Sequence, residues 1–454
     1  MVFRRFSLCK LRLAPAPSFK RPRMAAKLSR KRAIILICAF LCEASVPFVA
    51  HADPACWVGT WAASPQPPIA RAIPSYRDQT LRLIVHASLG GQNARIVLSN
   101  RYGSEPVRVG AARIALRRRD DSIEAASDRE LLFRGARTVS VSPHQDVVSD
   151  PVNLDIPPGA DLAVSLYLPD PVIVGTTHVL AKQTGYVAGP GDQTGASNLP
   201  GARTIRSWPF LSRVDVTAGR RAAALVLFGD SLIDGDGSSA DTNARWGDDL
   251  AARFRTAGVE VGVLNAGLIG NSLLRGSPAA SQPDIGNAFG PAGVDRAEAD
   301  ALSLPGVRWM IVRFGTNDLA IPGSLAPLSE AVSARQLADG FMRLLSLARR
   351  HHVQVLASTI PPYEGAAIAP NFHTAQKEMV RLEFNRWLRS SRAFDGLIDA
   401  DRILRDAQHP SRLSPALDSG DHIHPNDAGY RLLAEAFPLN FVSSNHLTCQ
   451  REGS

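Results

Sequence analysis

Ten residues near the middle of the chain, AAALVLFGDS (Ala222–Ser231), constrain the fold more than any other stretch. The run is apolar without alternation and then stops at a polar turn. A half-exposed strand would alternate, so this one has to be buried on both faces, as strands of parallel sheets are. The chain downstream agrees. Trp246, Leu250 and Phe254 recur at helical spacing until Gly258 ends the segment. VEVGVLNAG, VRWMIVRFGTND and VQVLASTIPP are three further strands, and 332–350 and 374–389 are helical. Strands alternating with helices predict a parallel α/β sheet whose chemistry lies at the carboxyl ends of the strands.

Upstream the period is two. Leu81, Leu83, Val85 and Ala87 alternate, Gly90-Gly91 gives a turn, and Ile96 and Leu98 alternate again. Val107/Val109, Ile114/Leu116, Val139/Val141, Leu154/Ile156 and Leu162/Val164/Leu166 follow between Gly, Pro, Asp and Asn. Short alternating strands at this spacing predict an all-β sandwich over 53–218, followed by the α/β domain over 222–454. GPGDQTGASNLPGAR interrupts the strands before a last one in SWPFLSRVDV.

The formal charge of +9 suggests a nucleic-acid or membrane-surface partner until it is located. Of 51 Lys and Arg, 11 fall in Met1–Ala52 against one acid, Glu43, which leaves 40 basic and 41 acidic residues in the remainder. The basic character belongs to a leader, so no nucleic-acid partner is expected. KLSRKR, the apolar run AIILICAFLC and the small-residue AHA ending at Ala52 form a secretory signal, with Met24 as the suspected start. The apolar run is too short to span a bilayer. The protein is therefore expected to be secreted or periplasmic, cleaved after Ala52, with no stable membrane insertion. Cys9, Cys38 and Cys42 leave with the leader; Cys56 and Cys449 remain as a candidate disulfide, against the alternative of two unpaired thiols.

Three strand ends and one loop carry the polar groups. Ser231 in GDSL follows the first buried strand, where a nucleophile would be exposed, although capping serines are common there. NAGLIGN follows the second strand, and its glycines let backbone N–H groups approach a ligand. GTND follows the third, and Asn317 either aims its amide at the same space or closes its own turn. DSGDHIHPNDAGY (Asp418–Tyr430) by itself has three readings. Asp421, His422, His424 and Asp427 suit a divalent ion; Asp421 and His424 suit a carboxylate orienting a general base; or the stretch is a solvated loop leading into a helix over 428–437.

Together these four stretches resemble the SGNH hydrolases, the GDSL-type esterases and acylhydrolases. Ser231 matches the first block, Gly270 in NAGLIGN the second, Asn317 in GTND the third, and Asp421 with His424 in DHIHPN the fifth. Two residues, Leu268-Ile269, precede the matched glycine, which leaves Gly267 as its alternative. NARWGDDLAARF, STIPPYEG and GTWAASP (Gly59–Pro65) resemble a secreted bacterial branch in which a β-domain precedes the hydrolase. The resemblance covers roughly 222–437 and implies a three-layer, flavodoxin-like α/β hydrolase domain. It implies a Ser231–His424–Asp421 triad, an oxyanion hole of the Ser231 and Gly270 N–H groups with the Asn317 amide, and neither metal nor other cofactor. The expected activity is hydrolysis of a small-molecule or glycan ester by a monomer. The segment after Gly270 lacks an apolar stripe, so short acyl groups are expected. A reading from another class is a glycan-binding or adhesion protein whose hydrolase half is inactive.

Overall fold

The computed structural model describes residues Cys56–Val442. The expected leader, its cleavage site and Cys449 lie outside the described residues, and so does the proposed Cys56–Cys449 pairing.

The strand Ala223–Gly229 is buried along its whole length, as its unbroken apolar run requires. It is the second of five parallel strands, in the spatial order Val261–Gly267, Ala223–Gly229, Val307–Arg313, Gln354–Ser358 and Gly396–Ile398. The first strand in sequence thus lies between the second and third, and the crevice above such a reversal is where open α/β sheets hold ligands. Successive residues of the first strand serve opposite faces. Ala223, Leu225 and Leu227 pack with Trp246, Leu250 and Phe254 of helix Trp246–Thr256 and with Tyr430 and Leu433 of helix Asp427–Glu435. Ala224, Val226 and Phe228 join Phe314, Phe341 and Phe384, the last two from helices Ala334–Arg350 and Ala375–Ser390. Ser333 and Gln336 form a capping box at the start of the first of these, and Thr374 caps the second through the Lys377 N–H.

Val107–Val109 and Val139–Val141 pair with each other in a small two-stranded sheet, and most of the other strands expected upstream form two larger antiparallel sheets. Cys56–Ala62, Leu211–Ala218, Gly91–Ser99 and Asp146–Val148 are neighbours in one, with Val152–Ile156 also pairing to Gly91–Ser99. The other centres on Gln79–His86, Asp161–Leu168 and Ala111–Arg119. Leu81, Leu83, Val85, Leu162, Val164 and Leu166 of the second meet Ala94, Ile96, Leu98, Val214 and Val216 of the first in one apolar cluster, which is what the period of two demands. On the far face of the second sheet, buried Arg82 donates to the Asp121 and Ala196 carbonyls at 2.6 and 2.7 Å, which ties the Gly/Pro-rich loop down.

That cluster does not stop at the change of pattern. Val58 and Trp61 share it with Leu264 and Val307 of the parallel sheet. The Gly59 N–H donates to the Pro305 carbonyl at 3.0 Å, and the Val263 N–H donates to Ser88 Oγ at 2.8 Å. The transition near Ala218–Ala222 is therefore a change of architecture within one compact unit.

Candidate active site

The strand register sets the geometry. Gly229 lies opposite Gly267 on one side and Arg313 on the other. Ser231, Gly270 and Asn317 follow these residues by two, three and four positions, so the three expected blocks emerge side by side.

Ser231 opens a single helical turn, Ser231–Asp234, capped by Asp230, whose carboxylate accepts from the Leu232 N–H at 3.2 Å. That carboxylate also pairs with the buried Arg313, which in turn donates to Thr316 Oγ1 at 2.6 Å. The aspartate of GDSL and the threonine of GTND are thus joined through one guanidinium, which fixes the Ser231 turn relative to the third strand. Ser231 is 8% exposed and His424 7%.

His424 Nε2 is 2.7 Å from Ser231 Oγ, and His424 Nδ1 is 2.6 Å from Asp421 Oδ2. The other carboxylate oxygen accepts the Ile423 and His424 N–H groups, each at 2.8 Å. Burial would raise the Asp421 pKa, but the bond from His424 and the two backbone donors hold it well below the usual carboxylate range. An ionised Asp421 accepts the Nδ1 proton, which leaves the Nε2 lone pair facing the serine hydroxyl. A second carboxylate, Asp236, lies 3.9 Å from Nδ1. His424 fits there because Gly237 has no side chain: a Cβ on it would sit 2.8 Å from the His424 Cβ, and its φ is +86°.

The other residues of DSGDHIHPND serve the loop itself. His422 pairs with Asp418 at 2.6 Å on the exposed side, Asp427 accepts the Ser239 N–H at 2.7 Å, and Asn426 caps the following helix through the Gly429 N–H. Of the four side chains suited to a divalent ion, Asp421 and His424 bond to each other while His422 and Asp427 turn to other partners, and among the described residues no three His, Cys, Asp or Glu side chains converge as a metal site.

Asn317 Nδ2 donates to the Asn271 carbonyl at 2.9 Å, which joins the second and third blocks directly and leaves its other N–H available. Gly270 has φ +69°. Among the described residues neither its N–H nor that of Ser231 has a protein acceptor, whereas the Gly267 N–H is taken by Asn265 Oδ1 at 2.9 Å. Of the two glycines considered, Gly270 keeps the free donor.

Several residues of the site were not singled out in the sequence. Asn271 donates to the Phe289 and Pro291 carbonyls at 2.6 and 2.7 Å. Asp318 accepts the Leu273 and Leu274 N–H groups at 2.8 and 3.0 Å, and burial pushes its pKa up to about 6. Buried Arg296 donates to the Gly229 and Ala266 carbonyls at the ends of the first two strands, at 2.7 and 3.0 Å, and to Asn271 Oδ1 at 2.9 Å. Its spacing to Asp300, one helical turn on, was the signal available in the sequence.

Residues 227–432 match the model of the GDSL-like Lipase/Acylhydrolase family. No curated protein matches the sequence. Among solved structures, the native aryl esterase of M. smegmatis is 21% identical, covering 47% of this chain and 96% of that one with a TM-score of 0.36. A mutant of Axe2, an acetyl-xylooligosaccharide esterase from Geobacillus Stearmophilus, is 16% identical, covering 51% of this chain and all of that one (100%) with a TM-score of 0.35. The block order, the strand ends that carry it and the match over 227–432 identify this segment as a domain of the GDSL-like lipase/acylhydrolase family, and the chain as a carboxylic ester hydrolase.

Proposed function

We propose that the protein is a secreted or periplasmic serine esterase, active as a monomer on esters of short acyl groups, which works through an acyl-enzyme on Ser231. The observation that carries this reading is the continuous relay from Ser231 Oγ through His424 Nε2 and Nδ1 to Asp421. Serine is a weak nucleophile at its free pKa. His424 accepts the Oγ proton as Oγ bonds to the ester carbonyl carbon, and Asp421 stabilises the resulting imidazolium. The carbonyl oxygen becomes an oxyanion facing the Ser231 and Gly270 N–H groups and the Asn317 amide; each such donor is typically worth about 3 kcal/mol in the transition state. Collapse breaks the bond to the leaving alcohol, which takes the proton from His424. Water then attacks the acyl-enzyme by the same steps in reverse. On this reading the α/β half is a three-layer flavodoxin-like domain, a view supported by its strand order and its two covered faces.

Short acyl groups are favoured by how the segment after Gly270 is used. Leu273 is fully buried, and with Leu274 it packs against Gly340, which supports a reading in which this pair serves the core rather than an acyl channel. Each buried CH₂ of a longer tail would add about 0.8 kcal/mol only where an apolar channel exists. An apolar cleft of about 420 Å³, lined in part by Leu319, Leu328, Val332 and Val380, has none of Ser231, Gly270, Asn317 or His424 in its lining.

The deciding experiment is labelling of the purified protein with a serine-directed organophosphate, together with hydrolysis of p-nitrophenyl esters from acetate to palmitate. Ser231 should carry the label, and Ser231→Ala and His424→Ala should each lose at least about a thousandfold in activity. Activity abolished by EDTA and restored by zinc would overturn the serine mechanism. A kcat/KM that rises beyond octanoate would overturn the short-acyl preference.

A further inference from the structure

The β-rich region reaches the nucleophile turn through a buried histidine that the mechanism above does not use. His178 Nδ1 is 3.0 Å from the Ser64 carbonyl and Nε2 is 2.8 Å from Asp234 Oδ1. Both side chains are sealed from solvent, at 2% and 1% exposure. A carbonyl only accepts, so Nδ1 carries a proton; the second contact then needs another proton between Nε2 and the carboxylate. Asp234 is the last residue of the turn that Ser231 begins, and the backbone around it leaves little room. Its N–H donates to the Asp230 carbonyl at 2.9 Å, Asn265 Nδ2 donates to the Ile233 carbonyl at 2.8 Å, and a Cβ on Gly267 would sit 2.2 Å from the Asp234 nitrogen. The histidine is itself held, its ring 5.5 Å from that of Trp208, whose indole N–H donates to the Ile84 carbonyl at 2.8 Å.

The same stretch of the β-rich region also reaches the oxyanion loop. Ser64 Oγ accepts from Arg296 Nη1 at 3.2 Å, and Arg296 holds Gly229, Ala266 and Asn271 as described above. Gln66 donates to the Ala288 carbonyl.

We propose that His178 is a positioning residue for ester hydrolysis: it locks the nucleophile turn through Asp234, which makes the β-rich region a working part of the active site. The proposal rests on Ser231 being the nucleophile. It acts on the transition state, because the aim of Oγ matters more as the bond to the acyl carbon forms than in the bound substrate.

The test compares two side chains that each keep one half of the histidine. Gln at 178 retains a donor where Nε2 meets Asp234, and Asn retains only the donor toward Ser64. Full-length variants are titrated with organophosphate, so that kcat for p-nitrophenyl acetate is expressed per labelled site and unfolded protein does not count. His178→Asn should lose about a hundredfold in kcat with KM within about twofold, and His178→Gln should recover all but about fivefold. Asp234→Ala, which removes the same bond from the other partner, should match His178→Asn and keeps the test alive should that variant not accumulate. Labelled wild-type protein with kcat unchanged in His178→Asn and Asp234→Ala overturns the positioning role alone, as does a loss expressed wholly in KM. Wild-type protein that takes no label at Ser231 overturns the serine reading and this proposal together.

Discussion

Replacing Gly270 by alanine tests the proposed oxyanion hole at its most constrained backbone position. A Cβ there would lie 2.4–2.5 Å from three ring atoms of Phe289, and the residue's φ is +69°. Ordinary carbon contacts are about 3.5–4.0 Å, so the ring has to move by roughly 1 Å or the Gly270 backbone has to yield. The left-handed conformation adds about 1–2 kcal/mol for any residue with a Cβ. The Phe289 backbone is held, because Asn271, the very next residue, bonds its carbonyl at 2.6 Å and presents its own carbonyl to Asn317, so any yielding at Gly270 is passed to both. Displacement of about 1 Å at two of three oxyanion donors should lower kcat by about a hundredfold with little change in KM. Overpacking should lower stability by about 1–3 kcal/mol, a loss that a denaturant melt resolves from the kinetic one. Adding Phe289→Ala relieves the clash but not the φ, and should recover roughly tenfold of kcat. Gly270→Ala with full kcat would remove its N–H from the oxyanion hole, and a loss confined to KM would make the loop a substrate-binding element.

Asn317→Ala should lower kcat by about 10²–10³ at nearly constant KM, since the oxyanion exists only in the transition state; an equal loss in KM would make Asn317 a substrate contact. Asp318 gives a pH signature. Burial raises its pKa to about 6 from 3.8, so between these values the folded state keeps a proton that the unfolded state has lost. Stability from this group is therefore fully present below about pH 4 and falls by up to about 3 kcal/mol as pH rises to 6, and Asp318→Asn should flatten that slope in urea melts; an unchanged slope refutes it. Intact-mass and peptide analysis of the exported protein should find its first residue at Asp53 and Cys56 joined to Cys449, a link whose loop entropy is worth at most about 4–5 kcal/mol. Two alkylatable thiols in native, unreduced protein would refute the link.

The parts of the site legible in the sequence are those whose signal is local. Ser231 announces itself because a strand buried on both faces ends one residue before its Asp230 cap, and Asp421 and His424 because three residues in one loop deliver both ends of a hydrogen bond. The strands upstream were equally legible, since Leu81, Leu83 and Val85 record their burial in a period of two. Arg296 and His178 were not legible. The one local signal for Arg296, its spacing to Asp300 in GVDRAEAD, fits a solvated helical ion pair as well as a buried one, and its contact with Ser64 spans 232 residues of sequence. His178 meets Asp234 across 56 residues and a change of architecture. The fifth parallel strand, Gly396–Ile398, was missed because it has three residues and only Ile398 is buried, which leaves no periodicity to detect.

The segment after Gly270 shows why those long-range contacts matter to the chemistry. Its composition is that of a loop, Gly- and Pro-rich with scattered charges, and it is held both by its own turns, as where the Ser277 N–H donates to the Gly290 carbonyl at 2.9 Å, and by its neighbours. Asp318 fixes the Leu273 and Leu274 N–H groups from the third strand's exit, and Asn271 bridges to Phe289 and Pro291 across the segment. From the β-rich region, the Ala70 and Arg71 N–H groups donate to the Ile285 and Asp284 carbonyls at 3.3 and 3.0 Å, and Gln66 takes the Ala288 carbonyl. A segment tied at 271, 273, 284, 285, 288 and 291 is not built as a lid. With the oxyanion hole proposed above, the role of the segment follows from that rigidity. Oxyanion donors stabilise a transition state most when they need not reorganise as charge develops, and a loop without regular structure gains part of its rigidity from neighbours. Here the neighbours are the third strand's exit and the β-rich region, so the region that carries none of the reacting groups supplies part of the order on which they depend.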